Sequence, residues 1–173
     1  MRFILTVLVY SLLNVVFCKA QTLDSLQDFT IGNAFNNELK EKSEVLLFDK
    51  KSNITLYFLP IRTKSFHLNV TYQLQGDILL DFFVSFPSYL LHDEVFTSLW
   101  GRYGKQDEYL LNDATAVYRW HKKANENMVY VASCSITCFP VYWTVFDSNR
   151  FDAKSKEKPI FQQLLEEEQS LLK

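Results

Sequence analysis

Cys134 and Cys138 are the residues whose type and spacing most directly permit chemistry, provided the chain reaches a compartment where thiols oxidise. On a straight strand, C-x3-C separates the two residues by ~13 Å, beyond disulfide reach, so a bond requires a turn through Ser135, Ile136 and Thr137. That turn would set Val131 opposite Val141, Val129 opposite Trp143 and Tyr130 opposite Tyr142. So short a loop gains only about 1–2 kcal/mol from the bond, whose main effect would be to fix register. Redox catalysis favours C-x-x-C at a helix start, and zinc needs a second ligand pair nearby, so neither a metal nor a cofactor is expected.

The histidines are His67, His92 and His121. Neither a G-x-S-x-G elbow nor an H-E-x-x-H pair accompanies them. His67 falls on the polar face of an alternating run, His121 ends another beside Lys122 and Lys123, and His92 opens a helix that Asp93 is suited to cap. No residue is assigned a catalytic role. The enzymatic alternative is a small secreted hydrolase using His92 with a carboxylate such as Asp93, which would need a concave pocket joining the two. Aromatic side chains with polar tips offer a different chemistry, a platform for a protein or glycan partner. The hairpin register places Trp143 inward and Tyr130 with Tyr142 on the opposite face, a possible binding patch.

The elements that must position these groups follow from periodicity. Leu91, Val95, Phe96 and Leu99 recur at helical spacing, and Gly101 and Gly104 can end that helix. TAVYRWH, NMVYVASC and CFPVYWTVF then read as three antiparallel strands. Upstream, DKKSN splits EVLLFDKKSNITLYFLPI into a hairpin, and FHLNVTYQLQ alternates strictly from Phe66 to Gln75. Gln75, Gly76 and Asp77 turn the chain into ILLDFFVSF, where Leu80, Phe82, Val84 and Phe86 point inward and Asp81 and Ser85 outward. Asn33 or Asn36 can cap a weak helix from Asn33 to Lys42.

The expected architecture is therefore α+β. An antiparallel sheet of about seven strands forms two meanders, four strands then three, around one packed central helix. A helix-plus-meander duplication is compatible with this order. The divisions are a leader at 1–20, an α+β domain at 21–147, a charged linker at 148–158 and a helix at 159–173 that starts at Pro159. That helix carries an apolar stripe of Phe161, Leu164, Leu165, Leu171 and Leu172, suited to docking on its own domain or on a partner. The central helix, the Gly-containing loop ending in YGKQDEY and the strand ending in VYRW resemble helix–loop–strand modules of bacterial outer-membrane assembly lipoproteins and beta-lactamase inhibitor proteins. The resemblance transfers no site.

Arg2, the apolar run from Phe3 to Leu13 and the small residue Ala20 form a secretory signal pattern, with cleavage expected before Gln21. Localisation is then extracellular or periplasmic, with no membrane span left after cleavage. At 48% hydrophobic and 16% aromatic residues, the chain is too rich in core formers to stay disordered. Its net charge of −2, with no basic run, argues against nucleic acid. Asn53-Ile-Thr and Asn69-Val-Thr are glycosylation sequons in a eukaryotic source. These features favour a non-enzymatic binding domain whose ligand the sequence leaves open.

Overall fold

Every strand pair in this protein is antiparallel, and consecutive strands are neighbours except at one central junction. The computed structural model describes residues 23–63, 66–87, 91–112, 115–121, 126–133, 141–151 and 158–163. A 3-10 turn at Asp24–Leu26 and helix α1, Asn37–Glu41, precede strands β1 (Glu44–Asp49), β2 (Ile54–Arg62), β3 (His67–Gln75) and β4 (Ile78–Phe86). Helix α2, His92–Tyr103, leads into β5 (Glu108–Asn112), β6 (Thr115–His121), β7 (Glu126–Ser133) and β8 (Val141–Asp147). These strands make one 8-stranded sheet ordered β1-β2-β3-β4-β8-β7-β6-β5. Each half is a helix followed by a four-strand meander, and the halves join where β4 pairs with β8.

The sheet has one strand more than the sequence suggests. The extra strand, β5, lies in EYLLN, where Leu110 and Leu111 are adjacent and both exposed, so the run shows no alternation between an inner and an outer face. Conversely, the strict alternation of β3 is realised: Leu68, Val70, Tyr72 and Leu74 are fully buried on the helix side. Their neighbours across the ladders are Ile61, Leu59 and Tyr57 on β2, and Val84, Phe82 and Leu79 on β4. A bulge after Gln73 shifts the β3–β4 register, which lets Leu79 rather than Leu80 face Leu74. Pro60 is accommodated in β2 because β1 pairs with β2 only from Ile54 to Phe58, so the missing amide faces no ladder partner there.

Helices and the N-terminal segment cover one face. Leu23, Leu26, Phe29, Phe35, Val95 and Leu99 join the sheet side chains in one core. In α2, Asp93 and Glu94 lie in the first turn and Arg102 in the last, matching the helix dipole. Gly104, at φ 79°, ends the helix by donating its N–H to the Trp100 carbonyl at 2.9 Å. Gly101 remains within the helix, and no side chain caps the start, where Leu91 takes the position expected for a polar residue. In α1 the cap is Asn36, whose Oδ1 accepts from the Glu38 N–H at 2.9 Å. Arg102 pairs with Asp24 and donates to the Leu23 carbonyl, tying the end of α2 to the N-terminal turn.

Two aromatic clusters fill this core and meet at the junction of the halves. Phe29, Phe35, Tyr57, Tyr72 and Phe82 pack together in the first half, with Phe29 and Phe35 ring centroids 5.1 Å apart. Phe82 then meets Trp143 edge to face at 5.1 Å, from β4 to β8.

Candidate functional site

Below the start of α2, the second aromatic cluster contains His92, the histidine of the hydrolase alternative. His92 Nδ1 lies 2.9 Å from the Tyr130 hydroxyl, and the two rings stack at 5.7 Å. Phe96 and Tyr118 pack on the same ring. Burial pulls the His92 imidazole below its usual range, opposed by neighbouring Asp93, and burial raises the Tyr130 phenol. A neutral imidazole therefore exchanges a hydrogen bond with an un-ionised phenol, an arrangement that fixes the start of α2 on β7. His121 is elsewhere, near the outer end of β6. Its Nδ1 is 2.7 Å from Asn127 Oδ1 and its Nε2 is 3.2 Å from Glu108 Oε1, contacts that raise its pKa. Glu108 also accepts from Arg119 at 3.2 Å. His67 is exposed on β3. Among the described residues, no group of three or more His, Cys, Asp or Glu side chains is placed to hold a metal.

The paired-tyrosine patch does not form. Tyr130 is 0% exposed, within the core, while Tyr142 lies half-buried on the opposite face beside Phe83. The cause is a register one residue away from that expected: Tyr130 opposes Trp143, Val131 opposes Tyr142 and Val129 opposes Thr144. Shifting an antiparallel pair by one residue reverses which faces its side chains share. The bulk of Trp143 therefore shares its side with Tyr130, Met128 and Val145, and the valines of β7 face away from the helices. Cys134 and Cys138 lie outside the described residues. Asn69 is exposed on β3, and Asn53 is exposed in the β1–β2 turn rather than in a strand, at φ 55°.

The other sheet face holds a feature that sequence reasoning placed only by parity. Asp81 points away from the helices as expected, yet it is 0% exposed. The chain returns there at 158–163: Asp81 Oδ2 accepts from the Ile160 N–H at 2.7 Å, and Ile160 is 2% exposed. Phe161 packs on Phe146 at 5.2 Å, and Gln73 Nε2 donates to the Lys158 carbonyl at 3.4 Å. Thus the start of the terminal helix docks on its own sheet. Asp81 Oδ1 has no hydrogen-bond partner among the described residues. Burial pushes the carboxyl up to about 8, against the opposing pull of the Ile160 N–H and of Arg150, so it stays largely protonated near neutrality. A legible signal existed, since Asp81 is the sole charge in ILLDFFVSF, but its partner lies 79 positions further along the chain.

Beside this contact a cavity of about 290 Å3 opens between the β1–β2 hairpin and the returning segment. Leu47, Ile54 and Leu56 form one side, Gln73 the floor, and Lys158 and Gln163 the other side. Apolar exposure concentrates at the two outermost strands, with Val45, Leu46, Leu47 and Phe48 on β1, and Tyr109, Leu110 and Leu111 on β5. No helix among the described residues is long and apolar enough to cross a membrane. The chain matches no family model, no curated protein and no solved structure, so the likeness to bacterial envelope modules rests on sequence pattern alone.

Proposed function

We propose that this protein is a secreted or periplasmic interaction domain, without a reaction of its own, that takes an extended segment of a protein partner along β5. The observation that supports this reading is the outermost position of β5 together with Tyr109, Leu110 and Leu111, of which Leu111 is 61% exposed. An outer strand offers backbone donors and acceptors for strand addition, and exposed apolar side chains add the area that makes such pairing stable. The neighbouring Glu108–Arg119 pair neutralises charge that would otherwise oppose a close approach. Export is supported by the apolar leader pattern, with processing expected near Gln21.

The test is affinity capture by the mature protein from its native secretions or envelope, run in parallel with a Leu110→Lys, Leu111→Lys variant. A partner held by the unaltered chain and lost by the variant, at unchanged melting temperature, supports the reading. Equal capture by both chains overturns the β5 assignment.

A further inference from the structure

We infer that the segment taken up along β5 is the β5 of a second copy of this chain, paired antiparallel about a two-fold axis at Leu110. The inference rests on the β5 reading and names its partner. The two outermost strands differ in how their free edges are kept. β1 breaks its register between Val45 and Leu47, and exposed Lys50 and Lys51 follow in the turn, two devices that discourage another strand from adding there. β5 has neither. Its residues pair with β6 in unbroken register, from Glu108 with Arg119 to Asn112 with Thr115, and no Lys or Pro interrupts EYLLN. A regular, apolar outer strand without such protection is suited to strand addition.

What singles out a second copy is the symmetry of the strand itself. A two-fold axis normal to the sheet keeps each side chain on its own face, so residues of like parity stand opposite one another in such a pairing. Centring the axis on Leu110 uses the whole strand: Leu110 meets its counterpart, Tyr109 meets Leu111 on either side of the axis, and Glu108 comes opposite Asn112. Along this ladder no like charges face each other. Shared parity also brings the N–H and C=O groups that point out of one edge against those that point out of the other. Moving the axis to Tyr109 or Leu111 shortens the ladder and sets a leucine against Glu108 or Asn112. Packing agrees with the central register. Tyr109 lies on the helix side, its ring 5.1 Å from Tyr118, which in turn packs on Phe96 of α2. Leu111 shares that side, opposite Ala116, so pairing the exposed Tyr109 and Leu111 with their counterparts continues the aromatic cluster across the axis. Five residues a side is well below the roughly 20–30 of a standard interface, so the association is weak, in the micromolar range.

The test is sedimentation equilibrium of the mature protein from low to high micromolar concentration, with Leu110→Lys and Leu110→Glu variants run alone and mixed. The unaltered chain is expected to reach a dimer. Each variant alone sets like charges against each other at the axis and is expected to dimerise at least about tenfold more weakly, whereas the two together are expected to form the mixed dimer. A chain that stays monomeric throughout, variants that dimerise as well as the unaltered chain, or a mixture no better than its components overturns the inference. A monomeric chain that captures a different protein, and loses it in the Leu110→Lys, Leu111→Lys variant, overturns the second copy as partner while the β5 reading stands; equal capture by a monomeric chain overturns both.

Discussion

Replacing Asp81 by Asn should change how stability depends on pH more than it changes stability itself. The carboxyl titrates near 3.8 when unfolded and at about 8 in the native protein, because burial disfavours its charge more than the Ile160 N–H and Arg150 favour it. As pH rises from about 4, the unfolded chain releases this proton first, and folding must take it back. Stability is therefore lost progressively up to about pH 8 and is constant beyond. Four pH units at about 1.4 kcal/mol each give a loss of about 6 kcal/mol across the window. Asn keeps an acceptor for the Ile160 N–H and carries no ionisable proton, so its own penalty is about 1 kcal/mol, set by an amide N–H short of an acceptor. Urea unfolding of both chains at pH 5, 6 and 7 reads the effect. The difference should move in favour of Asn by about 1.4 kcal/mol per unit, or about 3 kcal/mol over that range. His92 and His121 titrate in both proteins and cancel to first order in the difference. A difference that stays flat would show Asp81 already ionised in the native state and would refute the argument from burial.

Other outcomes follow from single contacts. Tyr130→Ala should cost about 3–5 kcal/mol in chemical denaturation, as for a large ring removed from a core. Tyr130→Phe, which loses only the bond to His92, should cost about 1 kcal/mol. A negligible cost for alanine would return Tyr130 to the surface. Asn36→Ala removes the α1 cap and should lower stability by about 1 kcal/mol, with glycine at the same position nearly restoring it.

Sequence made the first meander readable because β3 has one dry and one wet side, and DKKSN and QGD announce their turns. Helix α2 was readable from its apolar spacing and from Gly104. The second meander was harder. On β7 and β8 both faces are apolar over Val129, Val131, Tyr130 and Trp143, so hydrophobicity cannot decide which set turns toward the helices. Placing Cys134 opposite Cys138 fixed a register, and the ladder adopts the neighbouring one. The contacts around Asp81 were not readable for a different reason. A local pattern shows that an acid sits in an apolar strand, but not that a segment 79 positions away will cover it and supply an N–H.

The junction of β4 with β8 has a consequence for how the chain is made. The first meander is built from local pairings and can assemble as soon as it emerges, but β4 waits for a partner 55 to 65 residues downstream. Until β8 arrives, ILLDFFVSF presents an open ladder of the kind that recruits other chains. Asp81 stands in the middle of that strand, opposite Phe146 in the finished sheet. While the strand is still wet, its carboxyl is ionised at neutral pH and acts as a gatekeeper against misassembly. Folding then extinguishes the charge by burying it, so the residue that guards the nascent strand becomes the neutral acceptor for Ile160 in the mature one.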